Sequence, residues 1–535
     1  MADTLDTMFD DAEAPLSQPC SPAQSPSKDR AGLVTAVNAD VDGDEAMAEV
    51  DDEDEDNDEE DEAALSPVSR RQKMLSTTTT TTNNGNDLGI DFDKEDEPMP
   101  QQHQQQQQQQ HTSDSQPELS LALAADADFS TLLSIFYRRL FPFREFYRWL
   151  AYGNVQKNYF VFRELSFTLA NDAYLRFQSF KDGDELKDKI CDLMPVKIDI
   201  GAVYNAKPKD KKILRPGSFN PMERELVFDI DMTDYDPIRS CCSGAEICLK
   251  CWDFMTVSIK ILDRALQDDF GFKHRLWIYS GRRGVHCWVC DDRARKLTAE
   301  ARRAIVNYLE VVKGGEETSK KVSLNAKALH PSLRKANEVL DPMFTKRLIH
   351  TQDILSNPEK WKRILALIPD EELRKKFDDQ WAANKKLTPH DKWLQVVTEL
   401  KTLSKKKPAV ASTALEILFQ YSYPRLDSNV SIGLNHLLKA PFCVHPKTGR
   451  VCIPIDAKKC DTFDPFQAPK LSDIVNQIAE YDLSNKDKTI KVPDYAKTSL
   501  KSHVEYFRTF VEGLEEEAKV ILRARRAEED KKLQF

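Results

Sequence analysis

The stretch 225-ELVFDIDMTDYD-236 decides how this chain is read. It packs five carboxylates into twelve residues, yet its centre is apolar enough to be a buried strand. Successive side chains on a strand alternate between faces. Asp229 and Asp231 therefore share one face with Val227, while Phe228 and Ile230 point the other way into a core. With ~3.3 Å of rise per residue, the two aspartates stand ~7 Å apart at their Cα atoms. Both can converge on one divalent cation, or on a close pair. Without a cation their repulsion raises one pKa. Oxygen ligands of this kind favour Mg²⁺ or Mn²⁺. The alternative is an ordinary acidic strand face turned to solvent, since D-x-D is a common pattern. Asp234 and Asp236 are expected in a turn, without chemistry. Glu225 is expected at the solvated start of the strand.

Around this strand, glycine and proline punctuation frames other short strands. They are predicted at 158–169, 173–180, 196–204, 275–280 and 285–290. A helix is expected from about Asp253 to Asp269, stopping at Gly271. Residues 129–150 read as two amphipathic helical pieces broken near Pro142. Another helix, 296–313, should end at Gly314-Gly315, and the pattern stays helical to about Leu415. Strand chemistry returns at 430–455, and a terminal helix is expected over 498–527. The simplest architecture is a mixed α/β core interrupted by a helical insertion.

The chain has 535 residues and a net charge of −12, which hides an uneven distribution. Residues 1–120 carry 30 Asp/Glu against 6 Lys/Arg, so the remainder is basic by +12. A basic body of this size suits a polyanion such as nucleic acid, although a solvated basic surface gives the same count. The segment 1–120 holds DDEDEDNDEEDE at 51–62, six threonines at 77–82 and seven glutamines at 104–110. Such composition has too little apolar area to offset chain ordering, so a disordered acidic tail is expected. No signal peptide or spanning apolar run is apparent, and a soluble intracellular chain without a membrane is expected. The 11 cysteines do not suggest a secreted disulfide framework, because four crowd into 241–251.

Three further segments carry chemistry. Cys241, Cys242, Cys248 and Cys251 follow C-C-x₅-C-x₂-C and can close around one tetrahedral Zn²⁺ as a structural site. Reduced free thiols or a disulfide are the alternatives. In 280-SGRRGVHCWV-289, Gly281 and Gly284 permit unusual backbone angles and close ligand approach. Ser280, Arg282, Arg283 and His286 supply a phosphate cradle, unless the segment is simply a tight hairpin with exposed arginines. Cys287 and Cys290 lie three apart on a strand, hence on opposite faces, and read as structural. The segment 425–456 adds a third acid, Asp427, with His436, Lys439, His445, Lys447 and Arg450. His436 and Lys439 are expected on one helical turn. Acids for a metal and cations for phosphates are what metal-assisted phosphoryl transfer needs, although unrelated surface residues would look the same.

Taken together and in this order, FDIDMTDYD, SGRRGVHCWV and HLLKAPFCVHPKTGR, with CC…C…C after the first, resemble the catalytic small subunit of eukaryotic DNA primase over roughly 121–535. The resemblance implies the archaeo-eukaryotic primase fold, a mixed α/β catalytic core with an inserted helical subdomain and a structural zinc motif. It implies a catalytic core over 121–310, with the zinc motif at 241–251, a helical subdomain over 311–415, the second part of the core over 416–485 and a C-terminal helical segment over 486–535. Asp229, Asp231 and Asp427 would be the metal-binding catalytic carboxylates. Ser280, Arg282, Arg283, His286, His436, Lys439 and His445 would line the triphosphate side of the incoming nucleotide. Glu164 would join the catalytic groups, and Arg176, Lys197 and Asp199 the nucleotide-binding ones. The implied activity is synthesis of short RNA primers on single-stranded DNA from NTPs, with Mg²⁺ or Mn²⁺ as catalytic and Zn²⁺ as structural cofactor. The implied partners are the large primase subunit and the DNA polymerase alpha complex, and the implied compartment is the nucleus. A nucleotidyltransferase that only extends primers, and a non-catalytic zinc-containing nucleic-acid scaffold, are the competing readings.

Overall fold

A computed structural model describes residues 127–313, 319–325, 329–485 and 491–533. The tail expected over 1–120 lies outside the described residues. The core contains two antiparallel sheets. In the first, β1 (Arg163–Thr168), β2 (Tyr174–Gln178), β3 (Lys197–Tyr204) and β4 (Pro221–Glu223) run in the order β2-β1-β3-β4. The second contains β5 (Leu226–Asp231), β6 (Arg275–Tyr279), β7 (Gly284–Val289) and β9 (Pro454–Ile455), in the order β5-β7-β6-β9. The two-residue β8 (Leu438–Lys439) returns to pair with β3, opposite Asp199 and Ile200. Each sheet thus receives a short strand from the C-terminal part of the chain.

Alternation explains the second sheet. Leu276 and Trp288 pair across it on one face, and Trp277 and Cys287 on the other. Trp288 meets Trp149 edge-on, with ring centroids 5.3 Å apart, and Trp149 meets Phe507 of the C-terminal helix Lys501–Leu533 at 5.7 Å. On the other face, the Trp277 indole donates to Asp263 of the helix Leu249–Asp268 at 2.9 Å. The sheet is therefore covered on both sides, and β7 is buried along its whole length. This is why its segment reads as a nearly continuous apolar run. Cys287 and Cys290 are fully buried, on opposite faces, as expected.

The helices of 331–404 close around Trp361, Phe377, Trp381 and Trp393, all nearly inaccessible. Lys392 threads this cluster, with its ammonium 4.1 Å from the Trp361 ring and donating to the Leu355 carbonyl. These helices are tied to the core by Arg347–Asp253, Arg264–Glu338 and Lys335 to Asp268 and Asp269.

Several expectations change. The first strand starts at Arg163, because Phe160–Phe162 forms a 3₁₀ turn after Asn158, which has φ 64°. The helix expected from Asp253 begins at Leu249, so Cys251 lies inside it. The helix expected to reach Gly314 ends at Leu309, where Glu310 turns extended. A boundary at 415/416 would cut the helix Thr413–Gln420. His436 and Lys439 do not share a helical turn: His436 is in a loop and Lys439 is on β8, which moves into the ladder with β3. Glu225 is wholly buried, not solvated. Its carboxylate accepts from both terminal nitrogens of Arg163, at 2.7 and 2.9 Å, and from the Tyr152 hydroxyl at 2.6 Å. Burial alone would raise that carboxyl, but the Arg163 charge outweighs it and holds it well below the usual range.

Candidate active site

β5 is the edge strand of its sheet, and its exposed end carries the acids. Asp229 lies opposite His286, and Asp231 opposite Gly284. Phe228 and Ile230, which alternate with them in sequence, are fully buried, as the alternation requires. Asp427 joins from the far end of the chain through its backbone: its N–H donates to the Asp229 carbonyl at 3.3 Å. That bond uses the free edge of β5. The Asp427 side chain caps the next turn at Oδ1, accepting from Asn429 and Val430 N–H at 3.0 and 3.3 Å.

The three carboxylates feel one another. Burial and the charges of Asp231 and Asp427 push the Asp229 carboxyl up to about 7. Burial would also raise Asp231, but Arg283 and Thr233 reverse the direction and hold it below its ordinary value. Arg283 Nε–H donates to Asp231 at 2.8 Å, and the Thr233 N–H and hydroxyl both donate to its Oδ1 at 2.8 Å. Repulsion concentrated on one largely buried carboxylate, with acidic neighbours that the Lys439 charge offsets only in part, fits an oxygen donor set for a hard divalent ion. The three acids do not close to within 4.8 Å of one another; among the described residues only the four cysteines do so.

The basic side comes from two hairpins and β8. In the β6–β7 hairpin the Ser280 hydroxyl accepts the Gly284 N–H at 3.0 Å, which closes the turn. Gly281 has φ +92°, and a Cβ there would stand 2.7 Å from the His445 Cβ. Gly284 serves a different purpose from close ligand approach: a Cβ there would meet the Ile230 carbonyl at 2.5 Å, so the residue lets β7 pack against β5. His286 is buried, with Nε2 3.6 Å from Asp229. Burial and the Lys439 charge lower its pKa to about 3, so it is neutral near pH 7. Burial and the surrounding Lys439, Arg282 and Lys447 do the same to His445. His445 Nδ1 accepts the Lys447 N–H at 3.2 Å, so the ring proton of the neutral imidazole sits on Nε2 and can donate outward. Lys439 stands beside Asp199 across the β3–β8 pair, and Lys197 Nζ is 3.4 Å from Asp199.

Glu164 and Arg176 are brought together on the first sheet. Glu164 is fully buried on β1 and accepts from Tyr204 at 2.9 Å, Arg176 Nε at 3.2 Å and Phe177 N–H at 3.3 Å. It positions Arg176, whose other end donates to the Asn435 carbonyl at 2.9 Å, next to His436. Sequence reasoning missed three groups. Asp234 adds its negative charge to the field at Asp229. Arg425 donates to the Asp234 carbonyl at 2.8 Å. Arg224, fully buried, donates to the Val430 and Gly433 carbonyls at 2.9 and 2.6 Å and holds the loop after Asp427. The one sequence signal was an arginine and a glutamate set directly against the apolar start of β5.

The four cysteine sulfurs all lie within 4.8 Å of one another. Four thiolates at ~2.3 Å from a tetrahedral Zn²⁺ would be about 3.8 Å apart, so the donor set fits that ion with small adjustment. Arg239 braces the loop: it pairs with Asp236 and donates to the Gly244 and Glu246 carbonyls at 2.7 and 2.9 Å. Asp236, expected to be an idle turn residue, also accepts the Gly244 N–H at 2.9 Å. Gln352, from the helical segment, accepts the Ser240 N–H at 3.0 Å and donates to the Lys250 carbonyl at 2.9 Å.

Comparison with known proteins bears on this arrangement. The family described as DNA primase small subunit matches residues 228–457, which include the three aspartates and the basic groups of the site other than Arg176, Lys197 and Arg224. The chain is 42% identical over 356 residues to the DNA primase small subunit of Schizosaccharomyces pombe, covering 66% of this chain and 78% of that one. It is 40% identical over 411 residues to that of Drosophila melanogaster, covering 72% and 92%. The Saccharomyces cerevisiae protein of the same name is 34% identical over 393 residues, again covering 72% and 92%. Identity at this level, over most of each relative, places the chain in the DNA primase small subunit family, and it is a DNA primase of the nucleotidyltransferase class.

Proposed function

We propose that the chain starts RNA primers de novo on single-stranded DNA, joining NTPs at the Asp229, Asp231 and Asp427 site for the initiation of replication. The observation that carries this reading is the meeting of three acids from segments two hundred residues apart, bound by the Asp427 N–H to Asp229 carbonyl contact and faced by Arg283, His286 and Lys439. Mg²⁺ or Mn²⁺ held by the three carboxylates would supply charge neutralisation and a lowered pKa for the attacking 3′-hydroxyl. The protein's own groups do the rest. Lys439 and Arg283 attract the triphosphate and offset charge that builds on the leaving pyrophosphate. His445 Nε2–H donates to a phosphate oxygen without adding a further positive charge. Arg283, while bonded to Asp231, keeps that carboxylate ionised and correctly turned. Glu164 holds Arg176 toward the loop that carries His436.

Zn²⁺ bound by Cys241, Cys242, Cys248 and Cys251 would clamp the loop that follows β5. The family relationship supports a large primase subunit as partner; assembly with the DNA polymerase alpha complex and work in the nucleus belong to the same proposal. Among the described residues no helix is long and apolar enough to cross a membrane. The test is synthesis by the purified chain from template and NTPs with no primer supplied. Dinucleotide and longer products are expected, and Asp229→Ala and Asp231→Ala should abolish them with folding intact. Extension of a supplied primer without any primer-free product would reduce the activity to elongation. Activity that survives both substitutions would remove the acids from the chemistry.

A further inference from the structure

Arg224 and Glu225 are the two residues that join β4 of the first sheet to β5 of the second. Both are fully buried, but their charges are met differently. Glu225 is bonded to Arg163. Arg224 Nη1 donates to the Val430 and Gly433 carbonyls at 2.9 and 2.6 Å, while its Nε and Nη2 have no partner among the described residues. No carboxylate is hydrogen-bonded to it. Arg302, also fully buried, donates to the Arg224 and Glu225 carbonyls from the other side. Burial and the Arg302 charge lower the Arg224 pKa to about 9. Such a residue is costly: unbonded buried N–H groups and a buried cation beside a second cation both oppose folding. A methionine of similar length would avoid both costs. What the arginine provides is a grip on one segment. Val430 lies in the helix Ser428–Ile432 and Gly433 just after it, and Asp427 is the N-cap of that helix. The guanidinium thus holds the carbonyl end of a short helix whose other end carries the third acid. At that other end the Asp427 N–H meets the Asp229 carbonyl at a longer 3.3 Å. Gly433 also packs against His436, since a Cβ at 433 would collide with the His436 ring.

We infer that Arg224 is a positioning residue of the three-acid site: by holding the Val430 and Gly433 carbonyls it sets the Asp427 carboxylate and the His436 ring against β5. The inference rests on the proposed use of Asp427 as a metal-binding acid. Arg224 touches neither metal nor nucleotide and acts only through 427–436. The chain that enters β5 therefore does more than deliver Asp229 and Asp231. Its first buried cation also places the third acid, which comes from two hundred residues further on.

The test compares Arg224→Met and Arg224→Lys with wild type in the full chain. The measurements are amide hydrogen exchange, Mn²⁺ binding to the nucleotide-free protein, and kinetics on a primed template. In Arg224→Met, exchange should quicken over 427–436 and keep its wild-type rate over β5. Mn²⁺ affinity and kcat should each fall about tenfold, the usual scale when a group that orients a metal ligand is lost. KM for the primed template should not change. The urea midpoint should hold or rise, because a buried unanswered charge disappears. Arg224→Lys can reach one of the two carbonyls and should lie between Arg224→Met and wild type. In an Asp427→Ala background, Arg224→Met should cost no further Mn²⁺ affinity. Wild-type exchange over 427–436 with wild-type kcat in folded Arg224→Met would overturn the inference. So would a loss of Mn²⁺ affinity that adds in full to that of Asp427→Ala. If Arg224→Met does not fold, Arg224→Lys carries the same comparison. If Asp427→Ala leaves Mn²⁺ affinity intact, it is the proposed metal site that fails, and hydrogen exchange still decides the grip of Arg224.

Discussion

Two acidic sites of opposite design stand four residues apart along the chain, one just before strand β5 and one within it. Immediately before the strand, the buried Glu225 meets Arg163 and Tyr152, and its charge is answered inside the protein. At the strand's open end, Asp229 and Asp231 face Asp427, and the cluster is answered only in part by Arg283 and Lys439. The first site is complete as it stands. The second has an excess of negative charge at a partly exposed edge, which is the condition for taking a cation from solution. The residue type is nearly the same in both places; the neighbours decide whether an acid is structural or functional.

The largest effect that would sharpen this contrast is on activity. Asp229→Ala should lower primer synthesis by more than about 100-fold, since it removes a group facing the developing charge. Its melting temperature should hold or rise, because a repulsion disappears. Glu225→Ala should behave in the reverse way. It strands Arg163 in the interior and should cost about 3–5 kcal/mol in denaturant unfolding. An unchanged unfolding midpoint for Glu225→Ala would break the comparison.

A smaller effect separates the two sites by pH. Asp229 has a folded-state value near 7, above the unfolded range, so the protonated form is the one that folding favours. Without added divalent cation, stability from this group should decline as pH rises from about 4 to 7. Added Mg²⁺ should flatten that decline, and Asp229→Asn should remove it. Glu225 is depressed, so its stabilisation is present above the ordinary carboxylate range and is lost as pH falls below it. Denaturant midpoints across pH, with and without Mg²⁺, read both trends. The smallest effect concerns Arg283, which shares Asp231 with any bound cation. Arg283→Ala should tighten Mn²⁺ binding to the nucleotide-free protein by up to about fivefold, the scale of a partly exposed ion pair, while raising KM for NTP. Weaker Mn²⁺ binding would show that Arg283 supports the metal site and does not compete with it.

Much of this was legible in the sequence. Strict alternation in FDID set the aspartates on one face, and the six long strand segments appeared in order because their apolar runs are bounded by turn residues. The signals that failed were non-local. Glu225 looks like the polar start of a strand until Arg163, 62 residues earlier, is placed beside it. His436 and Lys439 have helical spacing, but the β3 edge captures Leu438 and Lys439 as a two-residue strand that no period can announce. Asp427 reaches Asp229 by a backbone bond, which leaves no mark in its side-chain pattern. The Glu164–Arg176 pair joins residues twelve apart on neighbouring strands, a contact that strand periodicity alone does not announce.

The helix Thr413–Gln420 limits how the molecule can be taken apart. Glu416 accepts the Leu324 N–H at 2.9 Å and pairs with Lys320, and Gln420 joins the Lys321 N–H and the Ser319 carbonyl at 2.9 and 2.8 Å. One helix thus fastens the strand of chain entering the helical segment while leading the chain out of it toward Asp427. A shortened enzyme made by deleting 311–415 would begin midway through that helix, and the third acid would hang from a severed support. Trimming has to leave Thr413–Gln420 whole, together with the 319–324 run it holds, which makes entry and exit a single unit for anyone building a smaller version.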